Sequence, residues 1–101
     1  MKYFYLIIVA KGNVHVDDSI DCLIINSDCT LIDDKHLICN NKTYEFEYLI
    51  YSNELTITNS LVMLENNIPI TNYYYQTSLE HIYYITEDNL QEKIDDIINN
   101  E

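Results

Sequence analysis

Residues 44–58 read YEFEYLIYSNELTIT, and this stretch decides the fold that the sequence predicts. Large apolar or aromatic side chains occupy every second position of its first half, which is the period of a half-buried β-strand. They are Tyr44, Phe46, Tyr48 and Ile50. Polar residues occupy positions expected to face outward, and they are Glu45, Glu47, Glu54, Thr56 and Thr58. The sequence therefore predicts a sheet whose solvent-facing side carries acid.

A tight turn is expected at Ser52-Asn53, directly after this strand. Two-residue turns join antiparallel strands, so we expect a hairpin in which Ile50 faces Leu55. Short apolar runs bounded by turn residues predict further strands on both sides. They cover residues 3–10, 22–25, 29–32, 36–39, 61–64 and 81–85, with a short return strand over 14–16.

The C-terminal region predicts an amphipathic helix. Thr86 is suited to cap its N-terminus, with Glu87 and Asp88 in the first turn, where the helix dipole favours anions. The apolar residues follow the spacing of one buried stripe, and they are Leu90, Ile94, Ile97 and Ile98. We therefore expect one α+β domain with a mainly antiparallel sheet of about five to seven strands and this helix packed on one face. A small closed or sandwiched β-fold is the alternative.

Negative charge dominates the chain, which has 17 acidic residues against five lysines, no arginine and a net charge of -12. Coding bias does not explain the scarcity of lysine, because asparagine, which shares its AAN codons, occurs 12 times. Binding to a phosphate backbone requires clustered Lys and Arg, so the composition argues against direct nucleic-acid binding. The same reasoning argues against an anionic membrane surface.

Two features bear on the cellular compartment. Cys22, Cys29 and Cys39 make an odd count without a dense disulfide framework, which fits a reducing environment. The apolar run 3–10 could form a signal-peptide core, but no small-x-small cleavage site follows it. Its eight residues are too few to span a bilayer as a helix. We therefore expect a buried strand and a cytoplasmic protein.

A row of acids follows the outer face of the predicted helix, namely Asp88, Glu92, Asp95 and Asp96. Lys93 is the one counter-charge nearby, and acids at a helix C-terminus oppose the helix dipole. One helical turn rises about 5.4 Å, which is comparable to the separation of about 6–7 Å between phosphates along a sloping backbone. The row can therefore present phosphate-like charge to a basic groove. The alternative is a solvated face that maintains solubility.

A second set of acids falls in predicted turns, namely Asp17, Asp18, Asp21, Asp28, Asp33 and Asp34. No lysine occurs between Lys11 and Lys35. If the turns lie at one end of the sheet, these acids gather with Glu45 and Glu47 into a negative surface for a partner. Ordinary solvated turns are the alternative, and the first two acids could instead cap a short helix over residues 17–26.

The segment Tyr73-Tyr74-Tyr75 is a third candidate for contact with a partner. Three adjacent rings close to Pro69 cannot all be buried, and tyrosine is favoured at interfaces because it joins a large apolar ring to a polar tip. The alternative is a core strand with one exposed ring. Tyrosine beside acid predicts a surface that meets Lys and Arg.

Motifs for catalysis, metals or cofactors are absent from the sequence. The acids lack the glycine and terminal Glu of an EF-hand loop. The histidines and cysteines contain no Cys-x2-Cys pair, and His36 and Cys39 would face opposite sides of a strand. A single glycine cannot form a phosphate-binding loop, and strong negative charge disfavours a reactive thiolate. We therefore predict no metal, no cofactor and no enzymatic activity.

These observations lead to one functional hypothesis with two alternatives. The chain is expected to be a small acidic inhibitor that blocks the basic, nucleic-acid-binding surface of a partner protein by charge mimicry. Anti-CRISPR, anti-restriction and toxin-immunity proteins act in this way, and the analogy rests on composition alone. The alternatives are a self-associating structural subunit, such as a homodimer, and a small ligand-binding or enzymatic domain.

Overall fold

The computed structural model describes residues 1–52, 55–57, 61–86 and 88–100, with the backbone alone for 55–57. These residues form nine strands and one helix. The elements are β1 (Lys2–Val9), β2 (Cys22–Ile25), β3 (Cys29–Asp33), β4 (His36–Cys39), β5 (Lys42–Tyr51), β6 (Leu55–Ile57), β7 (Leu64–Glu65), β8 (Ile68–Pro69), β9 (Ile82–Tyr84) and α1 (Leu90–Asn99).

Seven strands form one mixed sheet in the order β2-β1-β5-β4-β3-β6, with β9 also paired to β5. The predicted antiparallel pairing is found between β3 and β4 and between β4 and β5. Parallel pairs join β1 to both β2 and β5, β3 to β6, and β5 to β9. A separate antiparallel hairpin consists of β7 and β8.

Strand β5 organises the sheet, as the sequence predicted, but the hairpin expected after it is wrong. Leu55 pairs with Cys29 of β3 instead of Ile50. The edges of β5 are already occupied, by β1 on one side and by β4 and then β9 on the other. The Ser52 N–H continues the pairing with β1 by donating to the Val9 carbonyl at 3.0 Å. The remaining predictions for this turn, at Asn53, Glu54 and Thr58, lie outside the described residues.

Buried side chains form two clusters, one on each side of the central strands β1, β5 and β9. The first joins these strands to β3 and β4 through residues such as Ile7, Leu31 and Leu37. The second joins them to the apolar stripe of α1, which is Leu90, Ile94, Ile97 and Ile98 as predicted. The α+β class and the packing of the C-terminal helix on one face of the sheet are therefore confirmed.

Asparagine pairs make the tight turns. Asn40-Asn41 joins β4 to β5 and Asn66-Asn67 joins β7 to β8, and all four have positive φ angles, as turns that follow the twist of a hairpin require. Two strand predictions are wrong, because residues 14–16 form no strand and only the last residue of 61–64 belongs to one. Apolar side chains of these two segments pack on the core although their backbone belongs to no strand, as Val62 shows.

The helix starts later than predicted. It begins at Leu90, after Asn89 in a left-handed conformation (φ 54°), and no side chain caps it. The Thr86 hydroxyl donates to the Asp88 carboxylate at 2.5 Å, so Thr86 orders the approach to the helix instead of capping it. Glu87 is not described. Among the residues that are, no helix is long and apolar enough to cross a membrane.

Candidate partner-binding surfaces

The outer face of α1 carries exposed acids, as the sequence predicted. Glu92, Asp95 and Asp96 are all exposed. The segment after β1 packs beside them, because the Gln91 side chain accepts from the His15 N–H at 2.7 Å and donates to the His15 carbonyl at 2.8 Å. Asp17 and Asp18 follow His15 by two and three residues and are exposed, so this contact holds the segment that carries them beside the helix. We define the helix surface as Asp17, Asp18, Asp88, Glu92, Asp95 and Asp96.

Counter-charge on the helix surface is confined to its N-terminal end. Lys93 Nζ lies 3.2 Å from the Asp88 carboxylate and 2.5 Å from the Thr86 hydroxyl, and its side chain is 17% exposed. Hydrogen bonds from Thr86 and Lys93 lower the pKa of Asp88. The other three acids of the helix form no ion pair with any described residue, and the last helical turn contains no basic residue.

A second group of predicted acids lies around the first residues of β1 and β5. We define the strand surface as Asp21, Asp33, Asp34, Glu45 and Glu47. Partial desolvation and the charges of Glu47, Glu45 and Asp21 raise the pKa of Tyr3, which pairs with Glu45 in the sheet. Glu47 is itself 3.7 Å from Lys35 Nζ. The structure therefore brings these acids together, but beside a lysine.

Several acids of the turns hold local structure. The Asp33 carboxylate accepts from the Lys35 N–H at 2.8 Å and from the His36 ring at 2.7 Å. The Asp17 carboxylate accepts from the Ser19 N–H at 2.8 Å, and this bond lowers its pKa. Asp28 lies at the opposite end of the β3–β4 hairpin from Asp33, where its carbonyl accepts from the Cys39 thiol. The turn acids therefore do not form one continuous surface, contrary to the expectation that they gather at one end of the sheet.

The three predicted tyrosines form an ordered turn instead of an extended segment. The Asn72 side-chain oxygen accepts from the N–H groups of Tyr74 and Gln76 at 2.9 and 3.1 Å, and its amide donates to Gln76 Oε1 at 2.8 Å. Tyr75 has a positive φ of 65° and faces the second core cluster. Tyr73 is 98% and Tyr74 63% exposed. The turn therefore holds two rings out into solvent from a fixed backbone.

This turn and the end of the helix enclose a cavity of about 350 Å³. We call it the tyrosine pocket, and it is lined by Tyr73, Tyr74, Tyr75, Gln76, Tyr83, Asp96, Ile97 and Asn100. Two of the predicted groups, the tyrosines and the acidic helix, therefore meet at one site. Sequence reasoning missed Asn72, Tyr83 and Asn100, because turn geometry and the end of the helix set their roles. The Asn-x3-Gln spacing around the tyrosines is the one local signal.

Ser27, Cys29 and Cys39 lie on the other side of the sheet, away from this pocket. The three cysteines are free, and burial raises the pKa of Cys22 to about 11. Burial raises the pKa of Cys29 as well, with the hydrogen bond to Cys39 adding to the shift. The thiols of Cys22 and Cys29 are therefore protonated at neutral pH. In the described part of the chain, no three His, Cys, Asp or Glu side chains group as metal ligands.

No family model, curated protein or solved structure matches the chain. Function is therefore inferred from the chemistry of the two surfaces and the tyrosine pocket.

Proposed function

We propose that this protein is a small acidic inhibitor that occupies a basic, nucleic-acid-binding surface of a partner protein by charge mimicry. The role is of the anti-defence or immunity type, and it is a binding role without catalysis. The free thiols of Cys22, Cys29 and Cys39 support a reducing compartment, the cytoplasm.

The observation that carries the proposal is the one-sided charge of the helix surface. Glu92, Asp95 and Asp96 are exposed on two successive turns without a counter-ion among the described residues. Asp95 and Asp96 lie in the C-terminal half of the helix, where the dipole disfavours anions, and Glu92 repels both of them across one turn. The set therefore costs stability, although Glu92 alone lies in the first turn, where the dipole favours an acid. A local cost without a folding benefit is typical of residues that serve binding.

Binding would proceed through steering and then replacement of phosphates. A net charge of -12 attracts a basic surface over several ångströms and speeds association at low ionic strength. Carboxylates spaced by one helical turn then take the places of successive phosphates against Lys and Arg. Affinity must therefore fall as salt concentration rises, and DNA must compete for the same surface.

Affinity capture from a lysate of the native host tests the proposal when two charge-matched variants are compared with the wild type. The helix-surface variant carries Glu92→Gln, Asp95→Asn and Asp96→Asn. The strand-surface variant carries Asp21→Asn, Glu45→Gln and Glu47→Gln, so it loses the same number of charges. We expect the wild type and the strand-surface variant to capture a basic, nucleic-acid-handling protein that moderate salt or added DNA releases.

The helix-surface variant should retain little of this partner, with affinity lowered about a hundredfold if each charge contributes about 1 kcal/mol. Two results would overturn the proposal. One is the absence of any basic partner in the wild-type capture. The other is equal loss in both variants, because binding would then depend on net charge and not on the helix surface.

A second candidate function is self-association, which the edge of the sheet favours. Strand β2 stands at the end of the sheet and, within the described residues, pairs with β1 alone. An open edge can pair with the same edge of a second copy. Light scattering across a hundredfold range of concentration distinguishes the two, because the inhibitor hypothesis does not require a dimer. The carbonyls of Asp21 and Ile25 accept from β1, so alternation along the strand directs the Cys22 N–H to the open edge. A Cys22→Pro variant, which removes that N–H, should abolish any dimer that uses this edge.

A further inference from the structure

We propose that the tyrosine pocket binds the guanidinium group of an arginine side chain on the partner. The inference rests on the proposed function, because it names the residue type that a basic partner surface would insert. It also adds a specific site to a mechanism that otherwise depends on distributed charge.

The pocket is electrostatically suited to a cation. Asp96 belongs to its lining, and the pocket lies at the C-terminal end of α1, where the helix dipole places partial negative charge. Asn100 donates its backbone N–H to the Asp96 carbonyl at 3.2 Å and its side-chain amide to the same oxygen at 2.8 Å. No basic residue lies in the last helical turn. The two hydrogen bonds hold Asn100 at the helix end, and none of the described residues that line the pocket is basic, so a cation would meet the charge of Asp96 without competition from them.

Tyrosine rings supply the second element of the site. Four tyrosine residues line the pocket, and Tyr74 is the one whose ring is both fixed at its backbone and partly exposed, so a cation can approach its face. The bonds from Asn72 fix the backbone that carries Tyr73 and Tyr74, so little ordering is required when a ligand enters. The positive φ of Tyr75 is strain that the turn maintains, and strain of this kind is typical of binding sites.

Arginine suits this arrangement better than other cations. A metal ion requires several charged ligands, whereas Asp96 is the one acidic residue among the described residues that line the pocket. A planar guanidinium can stack on a tyrosine ring while its N–H groups donate to a carboxylate, and a lysine ammonium cannot combine the two contacts in this way. The volume of about 350 Å³ accommodates one side chain.

The connection to the helix surface also favours a residue of a larger basic surface. Asp96 belongs to both, so an arginine that enters the pocket would lie beside the acids that attract its neighbours. Asp95 is not part of the pocket lining, and its carboxylate accepts from the Gln91 amide at 2.9 Å. These adjacent acids therefore form a matched pair for a test, one inside the pocket and one outside.

Titration with a small arginine analogue, followed by NMR of the backbone amides, tests the pocket directly. The probes are Nα-acetyl-arginine methylamide, the citrulline analogue of the same shape without charge, and the lysine analogue. We expect saturable shifts at Tyr74 and Asn100, with affinity about tenfold higher for arginine than for citrulline. Lysine should bind about threefold more weakly than arginine.

Four variants locate the site. Asp96→Asn should weaken arginine binding about tenfold, and Asp95→Asn should change it less than about twofold. Tyr74→Ala should weaken binding about fivefold, while Tyr74→Phe, which keeps the ring, should leave it nearly unchanged. Tyr74 is 63% exposed, so these substitutions leave the core intact.

The results separate this inference from the proposed function. Saturable shifts confined to the pocket that discriminate arginine from citrulline support the inference even if no basic partner is captured. Equal affinity for arginine and citrulline overturns it, even if capture succeeds. Equal effects of Asp96→Asn and Asp95→Asn also overturn it, because binding would then follow the general negative potential.

Discussion

The helix surface and the strand surface carry the same type of side chain in different surroundings. On the strand surface, Glu47 lies 3.7 Å from Lys35 Nζ, and Asp33 holds the His36 ring at 2.7 Å. On the helix surface, the ion pair of Asp88 with Lys93 stands at one end, and the acids beyond it have no counter-ion among the described residues. Asp21, Asp33 and Glu47 of the strand surface therefore take part in the fold. Glu92 and Asp96 of the helix surface are exposed and form no ion pair within the described residues.

This difference teaches that acid content by itself does not identify a binding surface. An acid that accepts backbone N–H groups contributes to stability, whereas an acid beside other acids at a helix C-terminus detracts from it. The two surfaces must therefore respond differently to the same substitution. Stability measurements can test this without knowledge of the partner.

The largest difference is expected between Asp33→Ala and Asp96→Ala. Asp33→Ala removes the acceptor for the Lys35 N–H and the His36 ring, so the free energy of unfolding should fall by about 1–2 kcal/mol. Asp96→Ala removes an exposed acid from the last turns of a helix and introduces the best helix former, so stability should not fall. Urea unfolding of both variants measures the difference. A comparable loss in both would show that the two surfaces are energetically alike.

The triple variants of the two surfaces should also differ in their free energy of unfolding. As with the single substitutions, the variant of the helix surface should be the more stable one, by a smaller amount. Neutralising Glu92, Asp95 and Asp96 relieves repulsion and the conflict of Asp96 with the helix dipole, but it also removes the favourable first-turn charge of Glu92, so stability should rise by only about 0.5 kcal/mol in total. The strand-surface variant loses the ion pair of Glu47 and weakens the acceptor at Asp21 for the Tyr5 N–H, so its stability should fall slightly. Thermal unfolding at low salt measures both. A less stable helix-surface variant would contradict the assignment of these acids to binding.

Local sequence signals were sufficient for most of the central strands and for the helix, but not for the partner of each strand. The apolar runs of β1, β2 and β5 and the stripe of α1 predicted these elements, because each signal lies within one segment. The pairing of β6 with β3 depends on which edges other strands already occupy, and no local pattern contains that information. The predicted strand over 14–16 is absent for a related long-range reason. At His15 the backbone bonds to the Gln91 side chain instead of to another strand.

The candidate site was predictable in its parts and not in its assembly. Tyr73, Tyr74 and Tyr75 stood out by their repetition, and Asp96 by its place on a helix without counter-charge. Their meeting in one pocket depends on the turn that Asn72 organises, which brings the tyrosines to the end of the helix. Long-range packing of this kind leaves no periodic trace in a sequence.

The stability that Asp33 contributes should depend on pH, which distinguishes it from acids without such hydrogen bonds. Desolvation acts to raise the pKa of Asp33, but hydrogen bonds from the Lys35 N–H and the His36 side chain outweigh it, and the pKa is lowered from 3.8. The stabilisation is therefore fully present above pH 3.8 and is lost as the pH falls through the lower pKa of the folded state. Asp33→Asn retains an acceptor oxygen but cannot titrate, so its stability should depend less on pH in this range. Asp34→Asn is the control, because it removes one negative charge at the adjacent residue. The pH dependence of its stability should match that of the wild type.

Added salt should produce the smallest difference between the two surfaces. Raising NaCl from 0.1 to 1 M shortens the screening length from about 10 to about 3 Å, so repulsion between carboxylates one helical turn apart is largely removed. The wild type and the strand-surface variant should gain about 0.5 kcal/mol of stability from this screening, and the helix-surface variant less than half as much. Any general effect of NaCl on apolar burial is common to all three proteins and cancels in the comparison. Equal gains in all three would mean that repulsion between acids is spread evenly over the molecule. The helix surface would then not be distinguished as the surface that binds a basic partner.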